Sequence, residues 1–590
     1  MHNYILETSP CQLPEAVFNN DVDLDTIAMH ALARIPNLSE VDFSEHPVWR
    51  DSHSLTGTFR TFYSAERISK VWKILSTTRG VTKIKLGDSP THIHRLPNSS
   101  FAWVTVEFYF ETCNLPKTSN IGQLFLTPAP NGEWKIWMIT TYLEQLLGYP
   151  SVDVFGTPTK DGIREDLTLH DGKTARFDAV VVGAGQAGLS VGGRLKALGV
   201  SYMVIDGIRA IGENWKTRYD ATRLHTTREF AHLPFGRTFT PEYQEYLTKD
   251  DVAKGFAEWA DKFDINVWLS TRLEKGIWDK VHKRYILYLN HAGKRETITC
   301  RHVVMATGGY GPKRTYPEYD GREIFKGHVI HAEDYKNSHA WKGQAGVVVG
   351  TANTAHDIAN DMVEAGLKSV WMIQRSRTFV IPASHFKSYS DRLYNAHIPT
   401  ATADRLSYTL PWAITRQISQ AVLHPMAAEE PERYDALTKA NFKVIRYGDL
   451  VYNLTVRRGG HYMDVGCSNL ISNGMVKVKS GSLPVRYQPD GLECADGTFI
   501  PADVVIFATG FSGTLTEMVE DLFGKEVGTK FGTFWGLDDE GEIRNAFVPT
   551  EQPGLWAAAG TVGHSRYHSR FIALHIAADI AGTPFEVYSQ

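Results

Sequence analysis

The sequence contains no C-x-x-C pair and no long apolar run. Its cysteines are few and lie far apart, at Cys11, Cys113, Cys300, Cys467 and Cys494. This spacing argues against structural zinc and against a dithiol redox centre, so we expect no metal site. Sparse, unpaired cysteines suit a reducing compartment, and the expected location is the cytoplasm. Because no stretch of about twenty apolar residues occurs, we expect no membrane-spanning helix.

The sequence has no strong excess of charge of either sign. The net charge of -4 gives no reason to expect nucleic acid or an anionic membrane as a partner. The first residues show no basic region followed by an apolar run, so we do not expect them to act as a secretory signal. At 590 residues the chain is too long for one hydrophobic core, and we expect three or more domains.

The stretch from Phe177 to Asp206 has the full context of a dinucleotide-binding unit: an apolar run, G-x-G-x-x-G, a helical pattern, and a second apolar run that ends in an acid. The glycines would allow a tight turn, close approach of a pyrophosphate, and packing of helix on strand. The acid would accept ribose hydroxyls. The alternative is a strand–helix turn without a ligand. The candidate contacts are Gly183, Gly185, Gln186, Ala187, Gly188, Asp206 and Gly207.

Further candidates follow this stretch. A flat isoalloxazine ring needs a planar partner, and Trp215 is a candidate, with ordinary core packing as the equal alternative. The neighbouring candidates for cofactor contact are Asn214, Arg218 and His225.

A second strand–turn–helix pattern runs from Gly346 to Ala359. Its candidate contacts are Gly350, Ala352, Asn353 and Thr354. Ala352 replaces the central glycine and places a Cβ where a pyrophosphate would approach. The next strand ends in Arg375 and Arg377 instead of an acid. Guanidinium groups pair with a 2′-phosphate, so this site favours NADPH over NADH, although two solvated arginines are the alternative.

Three further motifs carry a family resemblance. Phe325, Gly327, His331 and Tyr335 fit the fingerprint F-x-G-x-x-x-H-x-x-x-Y/F in every fixed position, and two apolar runs end in Ala-Thr-Gly at 306–308 and 508–510. With the two dinucleotide patterns, these motifs resemble the flavin-containing monooxygenases, especially the fungal and plant YUCCA-like members. The resemblance covers about residues 177–583. It adds Thr307, Gly308, Thr509, Gly510 and Phe511 as cofactor contacts.

The resemblance implies an enzyme that uses FAD, NADPH and dioxygen, forms a flavin hydroperoxide and oxygenates a small metabolite, most readily at nitrogen or sulfur. The Baeyer–Villiger branch usually ends the fingerprint in Trp, so Tyr335 favours heteroatom oxidation. Baeyer–Villiger oxygenation, an NADPH oxidase or flavin reductase, and a binding module with a vestigial flavin site are the alternatives. Family members place an Asn on the loop where this chain has His225, Thr226 and Thr227. These three residues and His331 are the candidate catalytic residues.

The predicted fold class is α/β, with two Rossmann-like domains for FAD and NADPH. Before them, a helical pattern at 65–75 and three strand-like runs at 102–112, 121–128 and 135–143 resemble a SnoaL-like α+β cone, which is a structural or dimerising unit in many proteins, so a homodimer is one option. His564, Ser565 and Arg566 near the end of the chain are expected to border the flavin or the substrate. The predicted domains are 1–150 (cone), 151–176 (linker), 177–340 (FAD, first part), 341–480 (NADPH, with an inserted substrate-lining segment) and 481–590 (FAD, second part).

Overall fold

The structure is a computed structural model that describes residues 5–97, 99–156, 175–309, 311 and 313–589. The greater part of the predicted linker, residues 157–174, lies outside the described residues. Among the residues described, no helix is long and apolar enough to cross a membrane.

The N-terminal unit is a sheet with α2 and α3 packed on one face and α1 on the other. Its helices are α1 (Ile5–Thr8), α2 (Leu24–Arg34) and α3 (Ala65–Arg79). Its strands are β1 (Phe43–Ser52), β2 (Phe59–Tyr63), β3 (Val81–Leu86), β4 (His92–Arg95), β5 (Ala102–Thr112), β6 (Thr118–Pro128) and β7 (Trp134–Leu146), in the order β2-β1-β7-β6-β5-β3 with β4 beside β5. The predicted helix and the three predicted strands correspond to α3, β5, β6 and β7.

Side chains alternate between the two faces of this sheet, and both faces are buried. Val104, Val106 and Phe108 of β5 point toward α2 and α3 and form a core with Trp72. Trp103, on the opposite face, belongs to a second cluster that includes residues of a later helix. Because a strand places successive side chains on opposite faces, this run of apolar residues needs two covering layers.

The first nucleotide unit is an open sheet with helices on its faces. Its helices are α4 (Gln186–Ala197), α5 (Glu213–Lys216) and α6 (Lys249–Lys262). Its strands are β8 (Ala175–Val182), β9 (Tyr202–Ile205), β10 (Val267–Trp268), β11 (Thr271–Asp279), β12 (Arg284–His291) and β13 (Lys294–Met305), in the order β10-β9-β8-β13-β12-β11. Strands β10, β9, β8 and β13 run parallel, which is the doubly wound arrangement.

The second nucleotide unit follows, with smaller sheets beside it. Its strands are β14 (Lys313–Arg314), β15 (His328–His331), β16 (Ala345–Val349), β17 (Ser369–Gln374), β18 (Thr378–Pro382), β19 (Val444–Ile445), β20 (His461–Asp464), β21 (Val476–Ser480), β22 (Pro484–Gln488), β23 (Gly491–Cys494), β24 (Phe499–Pro501), β25 (Val504–Phe507) and β26 (Phe511–Ser512). Its helices are α7 (Asn353–Glu364), α8 (Ala383–Ser390), α9 (Thr400–Tyr408), α10 (Trp412–Ala428), α11 (Pro431–Lys439), α12 (Leu450–Thr455) and α13 (Cys467–Ser472). The main sheet is parallel, with the order β15-β25-β16-β17-β21.

The chain returns to the first nucleotide unit later than we predicted. The sequence pattern predicts that residues 481–590 belong to that unit, yet β25 pairs with β15 and β16 of the second sheet. Strand β15, assigned to the first unit within 177–340, also lies in the second sheet. The reason is packing, because Val505 and Phe507 share a core with Val347. The elements that do return are α14 (Leu515–Phe523), α15 (Lys525–Phe531), β27 (Leu555–Ala557), which pairs with β13, and α16 (Val562–Ile580).

The inserted segment between β18 and β19 covers the outer face of the N-terminal sheet. Ala413 and Ile414 of α10 pack in one cluster with Trp103, Trp137 and Met138 of that sheet. This sheet face is therefore occupied by the same chain.

Candidate cofactor and active site

The first G-x-G-x-x-G forms the turn between β8 and α4, and its glycines have separate physical reasons. Gly183 has φ +112°, and an added Cβ would lie 2.5 Å from the Ala306 carbonyl oxygen. A Cβ on Gly188 would lie 1.7 Å from the Gly183 oxygen, so this glycine closes the helix onto the turn. A Cβ on Gly185 would meet only the Asn214 side chain, at 3.6 Å. The space beside Gly185 is therefore open, as a bound diphosphate requires.

A large cavity of about 1260 Å³ opens from this turn. Pockets for small ligands usually measure about 300–1,000 Å³, so this volume suits a ligand as large as a dinucleotide. Eleven of the predicted cofactor residues line the cavity, namely Gly183, Gly185, Gln186, Ala187, Asp206, Gly207, Asn214, Trp215, Arg218, Thr307 and Gly308. The glycine cradle and the volume both fit FAD.

Asp206 is held at the end of β9 by backbone groups. One carboxylate oxygen accepts a hydrogen bond from Ala184 N at 2.6 Å, and the other accepts from Ile208 N at 3.1 Å. The carboxylate is thus tied to the glycine turn and faces the cavity. Trp215 lies beside the same turn, with the Arg218 guanidinium 4.4 Å from its ring centroid.

The other end of the cavity is lined by residues that no sequence motif marks. Trp535 and Leu454 line it, and Trp535 Nε1 donates to the Leu454 carbonyl at 3.3 Å. Arg458 also lines it and donates to the Gly309 carbonyl at 3.2 Å. No motif surrounds Trp535 in the sequence, so only the fold shows its position.

His564, on the first turn of α16, completes this end of the cavity. Its Nδ1 lies 2.8 Å from Thr561 Oγ1, and its buried Nε2 has no hydrogen-bond partner among the described residues. Burial, with a smaller contribution from the charge of Arg50, lowers the pKa of His564 to about 4. The imidazole is therefore neutral at pH 7. Of its predicted companions, Ser565 is buried, and Arg566 is buried in a bidentate ion pair with Asp404.

The second turn lies between β16 and α7. Gly350 has φ +127°, and an added Cβ would lie 2.5 Å from the Ala508 oxygen. Ala352 has φ -92° and ψ -176°, close to the φ -80° and ψ -169° of Gly185. Asn353 Oδ1 accepts from Met463 N at 2.9 Å, and Thr354 interacts with Tyr219. The backbone of the two turns is alike, but the second carries a methyl group at the open position.

Arginines gather at the end of β17. Arg375 and Arg377 are both exposed, and Arg377 donates to the Val444 carbonyl at 3.0 Å. Arg457 joins them by donating to Ser376 Oγ at 2.8 Å. Three guanidinium groups thus surround the strand end where an acid would otherwise hold a ribose.

The loop 225–227 contacts the second nucleotide helix. His225 Nε2 lies 3.6 Å from an oxygen of Asp357 on α7, and Tyr219 donates to the same oxygen at 2.7 Å. His225 Nδ1 and the hydroxyl of the buried Thr227 have no hydrogen-bond partner among the described residues, and Thr226 is half-buried. None of the three is among the described residues that line the large cavity.

His331 and the second Ala-Thr-Gly motif lie together, and the catalytic role of His331 stays a prediction. Its ring lies 3.1 Å from the Gly510 oxygen through Nε2 and accepts from Glu333 N at 3.3 Å through Nδ1, so both nitrogens are used. Thr509 donates to the Thr315 carbonyl, and Phe511 pairs with Arg314. Among the described residues of the cavity wall, Thr509, Gly510 and Phe511 do not occur. They form the crossing between the two nucleotide units.

Comparisons with known proteins identify the class of enzyme. The family model described as pyridine nucleotide-disulphide oxidoreductase matches residues 180–394. All five cysteines are described, and each is a free thiol. The relatives include the probable indole-3-pyruvate monooxygenases YUCCA3 and YUCCA7 of Arabidopsis thaliana. YUCCA3 is 27% identical over 349 residues, which cover 58% of this chain and 75% of the relative. YUCCA7 is 26% identical over 418 residues, which cover 68% of this chain and 87% of the relative.

A solved structure agrees with this match at the level of the fold. The cyclohexanone monooxygenase from Rhodococcus sp. Phi1, bound to NADP+, has a TM-score of 0.50 and 15% identity, covering 70% of this chain and 85% of the other. The chain is therefore similar to flavin-dependent monooxygenases in sequence and in fold, and it is an NADPH-dependent oxidoreductase with FAD and NADPH as cofactors.

Proposed function

We propose that the enzyme oxygenates a small molecule at nitrogen or sulfur. The observation that supports this most is the uncharged wall formed by Trp535, Leu454, Thr561 and the neutral His564. A sulfide or amine attacks with its own lone pair, so the reaction requires no strong protein acid or base. When bound, FAD supplies hydride acceptance from NADPH and the activation of dioxygen. The protein then has to hold the two cofactors and exclude water from this end of the cavity.

The first nucleotide site is proposed to hold FAD through its glycine turn. The α4 N-terminus and the open space beside Gly185 would receive the diphosphate. Asp206 retains acceptor capacity on both carboxylate oxygens for ribose hydroxyls. Gln186 donates to the Gly560 carbonyl at 3.1 Å, which links the glycine turn to the wall that carries His564.

The second nucleotide site is proposed to hold NADPH. Arg375, Arg377 and Arg457 would bind the 2′-phosphate, since their cluster offers several donors for charge-assisted bonds. The loop 225–227 is proposed to act on the NADPH side, because His225 contacts Asp357 of α7. Its unpartnered Nδ1 would replace the amide that family members carry on this loop.

Carbonyl oxygenation of the Baeyer–Villiger type is the second candidate function. Arg458 is the observation that favours it, because a guanidinium in the cavity wall stabilises negative charge that develops nearby. When a peroxide attacks a carbonyl carbon, negative charge develops on the carbonyl oxygen of the substrate. A sulfide or amine that is oxygenated does not acquire such a charge. Tyr335 does not decide between the two, because it is buried and hydrogen-bonded to Ser338 at 2.5 Å.

The N-terminal unit is proposed to be a SnoaL-like cone, and its strand order and single helical layer support this. A homodimer through this unit would use a surface other than the sheet face that α10 covers. The helical side of the unit is the proposed dimer surface, because the apolar side chains of Met29 on α2 and Ile74 on α3 are exposed there. Five free thiols support a reducing compartment such as the cytoplasm.

A panel of three probes tests the proposed reaction. Purified enzyme with NADPH and ¹⁸O₂ is supplied with an aryl methyl sulfide, a tertiary amine or a cyclic ketone, and products are identified by mass spectrometry. We expect labelled sulfoxide or N-oxide. Labelled lactone as the main product would establish the second candidate, and hydrogen peroxide without labelled product would support an oxidase instead.

A further inference from the structure

Trp535 sits at the base of a short hairpin, residues 535–544, which we call the Trp535 hairpin. Trp535 N donates to the Arg544 carbonyl at 3.0 Å, and Arg544 N donates to the Gly536 carbonyl at 3.0 Å. Leu537 and Ile543 form an antiparallel bridge, and the turn beyond them contains Glu540. The hairpin therefore joins a cavity wall at one end to an acidic turn at the other.

Strand β2 of the N-terminal unit holds the acidic turn. Arg60 donates two hydrogen bonds to the Glu540 carboxylate, at 2.8 and 2.7 Å. Thr61 N donates to the same carboxylate at 3.1 Å, and Tyr63 OH donates to the Glu540 carbonyl at 2.9 Å. Three residues of one strand thus bind a single residue of the hairpin.

Strand β1 holds the hairpin a second time. Arg50 forms a bidentate pair with Glu542, at 2.7 and 2.8 Å, and both side chains are 3% exposed. The same guanidinium donates to the Tyr408 and Leu410 carbonyls, which connect α9 to α10. The Tyr408 and Trp412 rings lie 5.0 and 5.5 Å from the imidazole of His564. Arg50 therefore connects the hairpin that carries Trp535 with the segment whose rings lie near His564.

The backbone at Trp535 shows why this double grip is needed. Its φ is +70°, a left-handed conformation that costs a bulky side chain about 1–3 kcal/mol and persists only where the surroundings enforce it. An isolated two-stranded hairpin is marginally stable in water and would not enforce it. Trp535 itself is held by its bond to the Leu454 carbonyl and by the core of the first nucleotide unit, and the N-terminal unit adds the contacts that hold the far end of the hairpin.

We propose that the N-terminal unit is a positioning element of the active site, in which Arg60 and Arg50 hold the Trp535 hairpin so that Trp535 closes the cavity. The inference rests on the proposed function, because it takes the cavity as the site of oxygenation. Without the grip, Trp535 would leave its left-handed conformation and water would enter beside FAD. The enzyme would then consume NADPH and release hydrogen peroxide in place of product.

Full-length variants test the grip directly. Arg60→Met removes the bidentate pair while keeping most of the apolar stem, and Glu540→Gln removes the charge while keeping the shape. Arg79→Met is the matched control, because Arg79 also joins the N-terminal unit to the rest of the chain, through the Glu586 carbonyl at 2.6 Å, but holds no cavity wall. Arg60→Lys keeps the positive charge but cannot form the bidentate pair, so it should retain part of the wild-type protection of the hairpin.

Hydrogen exchange of the full chain, with and without FAD, is the first measurement. We expect the amides of residues 535–544 to exchange at least about tenfold faster in Arg60→Met and in Glu540→Gln, with no change in Arg79→Met. We also expect the fraction of NADPH consumed that yields labelled product to fall severalfold in the first two variants only.

The outcomes separate this inference from the proposed function. If the hairpin amides keep their protection in both Arg60→Met and Glu540→Gln, the grip does not position Trp535 and the inference is overturned. If hairpin exchange accelerates while the product yield per NADPH stays at the wild-type value, Trp535 does not guard the site, which also overturns it. If the wild-type protein makes no oxygenated product, the proposed function fails, and the exchange data still decide whether the N-terminal unit holds the hairpin.

Discussion

Gly185→Ala should weaken FAD binding without destabilising the fold. Gly185 has φ -80° and ψ -169°, a conformation that alanine adopts without strain. Ala352 has nearly the same angles at the matching position of the second turn, so the chain itself shows that a methyl group fits this backbone. The added Cβ would have no neighbour closer than the Asn214 side chain at 3.6 Å. Only a ligand would meet it.

The size of the effect follows from what the methyl group displaces. Hydrogen bonds from backbone N–H groups to a charged acceptor contribute about 1.5–3 kcal/mol each. Losing one such bond by pushing the diphosphate away should weaken FAD binding about 10- to 150-fold. The stability of the FAD-free protein should not fall, because Gly→Ala at a compatible position lowers the entropy of the unfolded chain and stabilises by about 0.4–1 kcal/mol.

Titration of FAD-free protein with FAD measures the first effect, and thermal unfolding of the same sample measures the second. Gly156→Ala is the control, because a Cβ there meets nothing within 4 Å and the residue is not one of those that line the cavity. Ala352→Gly tests the converse, and NADPH should bind severalfold more tightly. Unchanged FAD affinity in a folded Gly185→Ala protein would refute the placement of the diphosphate.

Two further predictions concern charge. Arg375→Ala should raise the KM for NADPH about tenfold, because one charge-assisted hydrogen bond is lost, and should leave the KM for NADH unchanged. Equal effects on both KM values in steady-state assays would reject the 2′-phosphate role of Arg375. Burial and the nearby Glu542 raise the pKa of Asp538 from 3.8 to about 6. Because the pKa is higher in the folded than in the unfolded protein, the free energy of unfolding falls as the pH rises from about 4 to above 6. The charged Asp538 side chain therefore lowers the free energy of unfolding by about 3 kcal/mol at pH 7.5. Asp538→Asn should therefore raise the free energy of unfolding at pH 7.5 and have a diminishing effect toward pH 4, measured by denaturant titration at each pH; a pH-independent difference would contradict this assignment.

The parts of the site that the sequence predicts are those built from local backbone requirements. A side chain at Gly183 or Gly350 would collide with the end of a neighbouring strand, and one at Gly188 would collide with its own turn. These positions therefore require glycine, and the sequence shows their spacing directly. Arg375 and Arg377 follow a strand directly, and their place at its end needs no tertiary information. The strands β5, β6 and β7 likewise correspond to the three strand-like runs that the sequence shows.

The parts that the sequence does not predict depend on contacts between distant segments. Nothing near Trp535 marks it as a cavity residue, because its position is set by Glu540 and Glu542 meeting a unit almost five hundred residues earlier in the chain. For the same reason, the sequence pattern predicts the return of the chain to the first nucleotide unit too early. An apolar strand such as β25 fits either parallel sheet by composition, and only its packing against Val347 assigns it to the second.

The ion pairs between the units indicate what the N-terminal unit contributes. Arg50–Glu542 is almost wholly buried, and Arg570 of α16 reaches Glu144 of β7. Buried ion pairs are poor sources of net stability, because desolvation offsets most of their attraction, and apolar pairs of equal volume stabilise as well or better. What a bidentate pair does provide is orientation, since it tolerates little change in angle or distance. Their concentration at the segments that carry Tyr408, Trp535 and His564 therefore fits a unit that sets the geometry of the cavity wall more than one that adds bulk stability.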